Sequence, residues 1–406
     1  MNESNPAEEQ NPYRFVVLGV NTMVYMMFMA ILVSFSISSP FLKEEFGLND
    51  VTLNYGYIAY SVGIVVSLWW GGRFFDRYGM VRTMILASLF FLIPQFLIPC
   101  LDSWSAITAL RFVQGNVVAV FPGLVAMNGL WFPEREHGLA SGIFMGGSAL
   151  GTAIGNYLCS VLLPALGWKG TFMALGIIAL LLILAWFVLV ARRAEISADG
   201  SERRAVSGAD RGRVHRDPVT WLLALIMLGN CWQIYAIYGI TQNMLFDHGY
   251  GLEAVGALCL ILGLTGALST PLGGVVSDVL AKRIGITRGR VVSMLVGFVV
   301  AFFGTLLVPF LAQEGYAMAM MAMVLAGFGV PWTNGPYWAL PTEVFPRELA
   351  GEGAGFSGFL GNTADIFAPL VAVFLGANYG WISSMSFLAI GPLISVMACL
   401  ILLRRI

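Results

Sequence analysis

The sequence predicts an all-α membrane protein whose twelve transmembrane helices form two pseudo-symmetric six-helix bundles. Three observations predict it. Of the 406 residues, 58% are hydrophobic and 11% charged, with a mean hydropathy of +0.80, whereas soluble domains carry roughly 25% charged residues. Apolar stretches near the ~20 residues that a bilayer crossing needs recur along the whole chain. One stretch of text also occurs twice. Residues 131–155, WFPEREHGLASGIFMGGSALGTAIG, run from a charged hairpin straight into an apolar segment. Phe345-Pro346-Arg347-Glu348, followed by Gly351, Gly355, Gly358 and Gly361, repeats that pattern 213 residues later.

The elements follow in order. The opening residues, MNESNPAEEQNPYR, are polar and acidic. They lack the basic segment of a cleaved signal peptide, so the first apolar run is expected to remain as a membrane anchor. Spans are expected at 15–38, 53–75, 83–101, 105–130, 138–163, 170–191, 219–243, 253–277, 291–312, 316–340, 353–376 and 381–403. In the fifth span, glycines at 138, 142 and 146 and again at 147, 151 and 155 recur every four residues. On a helix that spacing lays a smooth strip where another backbone can approach. Residues 192–217 are polar and without apolar periodicity, and read as a flexible cytoplasmic linker. They divide the chain into an N-terminal six-helix bundle, 1–191, and a C-terminal one, 218–406. With the N-terminus inside, nineteen of the 22 basic residues fall on the cytoplasmic side. This positive-inside asymmetry puts both termini in the cytoplasm of a multi-pass protein of the cell membrane, a bacterial inner membrane.

Several function classes are excluded. A net charge of −1 points to no nucleic-acid partner. Cys100, Cys159, Cys231, Cys259 and Cys399 are scattered without CxxC spacing, and His137, His215 and His248 fall in expected loops without metal-ligand spacing. There is no phosphate-binding glycine loop and no assembly of serine, histidine and aspartate. No metal, no cofactor and no enzymatic activity are therefore expected.

The turn after the second span, Gly72-Arg-Phe-Phe-Asp76-Arg77-Tyr-Gly79-Met-Val-Arg82, resembles the G-x-x-x-D-R-x-G-x-x-R signature of major facilitator superfamily transporters. Gly274-Val-Val-Ser-Asp278, with Lys282, Arg283, Gly285 and Arg288, is a lengthened echo after the eighth span. Physically, such a carboxylate can face the positive N-terminal end of a neighbouring helix while the arginines tie the loop to it. Arg111-Phe-Val-Gln114-Gly115, Phe121-Pro122-Gly123 and Trp131-Phe-Pro-Glu-Arg-Glu resemble the fourth-helix region of the anion:cation symporter branch. Gly335-Pro336-Tyr337-Trp338-Ala-Leu340-Pro341-Thr342-Glu343, with Gly361-Asn362, is similar to its tenth and eleventh helices. The chain departs from that branch in three places, one of them a segment before Phe121-Pro122 that is one residue shorter. Ser-Phe-Ser-Ile-Ser-Ser stands where the branch has an Asp-Arg pair, and Val118 where it has a glutamate. A coupling scheme built on those acids does not carry over.

The resemblance implies the major facilitator fold, with two halves rocking around a site near the midplane. It also implies a monomeric secondary transporter taking up a small organic anion, a carboxylate, together with protons. The alternative is a proton-coupled exporter of an amphipathic or cationic compound, favoured by Asp365 and the lost acids. Charges inside a membrane are costly and usually face protein or a watery path. Arg111 is a candidate substrate anchor, proton-coupling part or structural residue. Asp365 is a candidate proton carrier, an ion-pair partner for Arg111, or a cation-recognition site. Polar and aromatic residues on the first, fourth, seventh and tenth spans supply the candidate lining. They are Asn21, Tyr25, Asn128, Trp232, Tyr235, Gln242, Asn334 and Tyr337.

Overall fold

The computed structural model describes residues 12–191, 214–346 and 349–406. The linker expected at 192–217 therefore lies outside the described residues, apart from its last four. The helices are α1 Tyr13–Ile37, α2 Ser39–Phe46, α3 Asp50–Leu97, α4 Trp104–Gly115, α5 Phe121–Trp131, α6 His137–Trp186 and α7 Pro218–Asp247. There follow α8 Leu252–Ile284, α9 Ile286–Leu311, α10 Tyr316–Val344, α11 Ala350–Asn362, α12 Ala364–Tyr379 and α13 Trp381–Arg405. No strand occurs among the described residues.

Two of these helices are too long for one crossing and turn back on a single glycine. In α3 the turn is Gly79, at φ 81°, a left-handed value that a side chain disfavours. Across it Trp70 meets Phe90 at 5.9 Å between ring centroids, so the two legs lie side by side. In α6 the turn is Gly167, at φ 63°. Gly147 packs on Thr22 and Trp186 bonds to Asn21, which a straight rod could not manage. Gly285 and Gly380, at φ 96° and 84°, make the matching turns between α8 and α9 and between α12 and α13. Ten described segments are long and apolar enough to cross a membrane, and one of them, Tyr55–Cys100, contains the Gly79 reversal. With that second leg and the 30-residue α7, the chain crosses twelve times.

Two expected spans are broken near a proline. The fourth span is split into α4, a 3₁₀ turn over Asn116–Val120, and α5. Pro122 has no N–H for the Val118 carbonyl, and the chain tightens there. The eleventh span is split at Thr363, where the Ile366 N–H bonds to the Thr363 carbonyl at 3.2 Å. Pro369 likewise denies an N–H to Asp365. By contrast α10 runs unbroken through Pro331, Pro336 and Pro341.

Packing divides the chain into two compact units. Described residues within Met1–Pro133, Gly147–Gly208 and Arg347–Gly355 form the first, and those within Glu134–Gly146, Ala209–Pro346 and Phe356–Ile406 the second. In the first, Gly151 and Gly155 rest on the α1 backbone at Met26 and Ala30. In the second, Gly138 and Gly142 rest on α8 at Gly274 and Pro271. The α6 glycine strips thus serve two different helices. Each unit also carries an acid–indole clasp. Trp168 Nε1 donates to Glu45 at 2.5 Å in the first, and Trp381 Nε1 to Asp247 at 3.0 Å in the second. Apolar side chains such as Leu260, Leu264, Leu268 and Leu272 on α8 are exposed, as a lipid-facing surface requires.

Candidate functional site

Arg111 sits at the heart of the first unit because two glycines bring α3 and α4 together. A Cβ on Gly63 would strike the Phe112 carbonyl, and one on Gly115 the Tyr60 carbonyl. That approach lays the Arg111 guanidinium between the rings of Phe35 and Tyr60, 4.1 and 4.3 Å from their centroids. Its Nη1 donates to Gln114 Oε1 at 2.6 Å. Gln114 Nε2 then donates to Gln95 Oε1 at 2.8 Å, and Gln95 Nε2 to the Phe172 carbonyl at 2.9 Å. Arg111 is 1% exposed, and its Nε and Nη2 are shut off from solvent with no acceptor. These two N–H groups form the side-on edge of the guanidinium, the fork that grips a carboxylate with two parallel bonds. Desolvated cation–π contacts return about 2 kcal/mol or more each. An uncompensated buried charge costs several.

Most of the other expected lining residues bridge helices instead. Asn21 Nδ2 donates to Asn128 Oδ1 at 2.8 Å, and Trp186 Nε1 donates to Asn21 Oδ1 at 2.8 Å, all buried. In the second unit, Asn230 Nδ2 donates to Thr333 Oγ1 at 3.0 Å and Asn334 Oδ1 at 3.1 Å. Trp232 Nε1 donates to the Phe387 carbonyl at 3.1 Å while its ring packs on Phe367 and Phe387. The Tyr337 hydroxyl reaches the Leu223 carbonyl and Ser357 Oγ, each at 3.2 Å. Tyr25 packs on Phe121 at 5.4 Å. The side chains of Tyr235 and Gln242 lie outside the described residues. The sequence reading passed over Gln95, Trp186 and Asn230. Their signal was a polar or indole group in an apolar run.

Asp365 occupies the first turn of α12, just past the break at Thr363. Its Oδ1 is shut off from solvent without a hydrogen-bond partner.

The motif residues form two carboxylate caps. Asp76 accepts from the Gly351 N–H at 3.2 Å and the Glu352 N–H at 2.6 Å, at the start of α11. Asp278 accepts from the Gly138 N–H at 3.0 Å and the Leu139 N–H at 2.8 Å, at the start of α6. Each carboxylate meets free N–H groups and the positive end of a helix. Gly72 is needed because a Cβ there would collide with the Gly351 carbonyl. Arg73 pairs with Glu352 at 3.1 Å, whereas Arg77 lies on Tyr78 and Arg82 is exposed. Arg290 binds Asp278, Ser277 and Glu343. His137 was expected in a loop. It begins α6 instead, buried 3.5 Å from Glu343, because the hairpin closes in a short 3₁₀ turn just before it.

A family model described as Major Facilitator Superfamily matches residues 17–369. The "Probable sulfoacetate transporter SauU" of Cupriavidus necator is 26% identical over 94% of this chain and 93% of that protein. The "Hexuronate transporter" of Bacillus subtilis is 24% identical over 91% of this chain and 89% of that protein. Among solved structures, the proton:xylose symporter XylE bound to 6-bromo-6-deoxy-D-glucose superposes with a TM-score of 0.76 at 14% identity. That superposition covers 97% of this chain and 95% of the other.

Proposed function

Because the chain belongs to the Major Facilitator Superfamily and is a multi-pass transporter rather than an enzyme, we propose that it moves a small organic anion through the membrane by alternating access. The substrate is a carboxylate or sulfonate, gripped by Arg111. One observation carries this reading. The guanidinium is buried without a carboxylate among its described contacts, and the Nε and Nη2 of its side-on edge have no acceptor from the protein among them. Gln114 and the two rings fix its plane in advance, so less ordering cost falls on binding. The relatives named for sulfoacetate and hexuronate support an acidic substrate of this size.

Uptake is coupled to protons, with Asp365 as the carrier. The protein works as a monomer in a bacterial inner membrane with both termini in the cytoplasm. The Asp76 and Asp278 caps are the contacts that the transport cycle makes and breaks. A cationic cargo remains the second reading, favoured by the unpartnered Oδ1 of Asp365.

A thermal-shift screen of purified protein against sulfoacetate and hexuronates tests the main reading, since a ligand of the folded state raises apparent stability. Arg111→Lys keeps the charge and loses the fork. It is expected to weaken binding by about 10- to 100-fold, from a charge-assisted bond worth roughly 1.5–3 kcal/mol. Arg111→Gln is expected to abolish it. An Arg111→Gln protein stabilised by the same anion at the same concentration removes the anchor, and a protein stabilised only by organic cations favours the second reading.

A further inference from the structure

Arg111 is held by a chain of amides that can run in one direction only. The guanidinium donates and never accepts, and the Phe172 carbonyl at the other end accepts and never donates. Between them stand Gln114 of α4 and Gln95 of α3, both fully buried. Gln95 Nε2 donates to the Phe172 carbonyl at 2.9 Å, so its Oε1 is the atom left for Gln114. Gln114 Nε2 donates to that Oε1 at 2.8 Å, which leaves its own Oε1 for Arg111 Nη1, at 2.6 Å. A main-chain carbonyl cannot be turned over, and it therefore fixes the orientation of both amides. Gly176, one turn after Phe172 in α6, makes room for the contact. A Cβ there would come within 3.1 Å of Gln95 Cγ.

This relay settles what the two rings leave open. Phe35 and Tyr60 fix the plane of the guanidinium, but a flat group between rings can still turn within its own plane. The bond to Gln114 stops that turn by engaging Nη1, and the Nε–Nη2 edge is what remains for a ligand. Neither amide carries a charge, so the pair aims the guanidinium without cancelling it. A carboxylate at position 114 would hold the same atom and neutralise the site. We propose that Gln95 is a positioning residue for anion binding, locking Gln114 so that Arg111 presents its Nε–Nη2 edge. This rests on Arg111 being the anion anchor. The edge so presented suits anions that offer two oxygens side by side, as a carboxylate or a sulfonate does.

NMR of the full-length protein in lipid nanodiscs, labelled at its arginine nitrogens, reads the relay without any ligand. The signals of Arg111 are those that Arg111→Lys removes. In wild type its two Nη signals are expected to be resolved, because Gln114 holds one of them. Gln95→Leu should merge them, and Gln95→Met, close to glutamine in volume, serves where the leucine variant does not fold. Sulfoacetate and D-glucuronate, titrated by calorimetry, supply the second readout. Gln95→Leu is expected to weaken both about three- to tenfold, since a side chain no longer locked must be ordered on binding. In Arg111→Lys protein there is no fork to aim, and the same change should add nothing. A merely structural loss would add in both backgrounds. Resolved Nη signals in Gln95→Leu, unchanged affinity, or an equal loss in both backgrounds overturns the role of Gln95 and leaves Arg111 as anchor. A single averaged Nη signal in wild type overturns the relay with no Gln95 variant needed. Wild type that binds neither anion, or Arg111→Gln protein that binds both at wild-type affinity, overturns the anchor and Gln95 together.

Discussion

Around Arg111 two rings and an amide surround a charge that none of them cancels. Glu45 is the opposite case, at the surface and fully partnered. Its carboxylate is held below the ordinary glutamate value first by the hydrogen bond from Lys169, at 2.8 Å, and then by the Trp168 indole, against a small cost of burial. The folded state therefore binds this proton less readily than the unfolded chain. The stabilisation is complete above the unfolded glutamate value, about 4.3, and fades as the pH falls through the lower folded value. Both partners are more than a third exposed, so the ion pair is worth at most about 1 kcal/mol. Glu45→Gln should lower the melting temperature slightly at pH 7, and the gap to wild type should close on acidification below pH ~4. A gap that stays constant with pH in melting curves counts against the clasp.

At the scale of the element, α6 is the clearest case of one sequence pattern serving two partners. Glycines every four residues predict close approach, and the structure shows that the two sets face different helices. Their tolerance should differ accordingly. A Cβ on Gly146 would find its nearest atoms at 3.8 Å, ordinary contact, whereas one on Gly151 would run into the Met26 backbone. Gly146→Ala is expected to be neutral or stabilising. Gly151→Ala should cost about 1–3 kcal/mol through overpacking, and Gly151→Leu more. Melting temperatures of the two alanine variants in one detergent decide it, and equal values would mean that α1 yields freely. The twin breaks in the fourth and eleventh spans belong at this scale too. The prolines were visible, but α10 keeps its course through three of them, so a proline alone does not place a break.

Across the whole molecule the repeat is real, but it does not run at one spacing. Phe132 and Phe345, and Trp168 and Trp381, lie 213 residues apart, whereas Asp76 and Asp278, and Glu45 and Asp247, lie 202 apart. The extra residues accumulate from the lengthened turn at Gly285 onward, where six residues lie between Asp278 and its glycine against two in the first copy. Both copies still build the same cap and the same clasp. Topology supplies the test at this scale. A cysteine at Ser201, in a background stripped of native cysteines, should resist a membrane-impermeant maleimide added to intact cells and react after permeabilisation. Labelling in intact cells would reverse the orientation derived from the basic residues.

The sequence by itself determined the twelve crossings and the two copies of the cap motif. Each depends on a property carried locally by the chain: apolar length, and a carboxylate in the short charged turn that follows an apolar run. Tertiary structure alone decided what each buried polar group does. Asn21 and Asn128 were legible as polar residues on plausible helices, but that they bond to each other, 107 residues apart, and to Trp186 depends on which faces meet. The same holds for Arg111, whose Nη1 is taken by Gln114 while Nε and Nη2 stay open. A hydrogen bond is satisfied within about 3 Å and one direction, and a sequence fixes neither until its helices have packed.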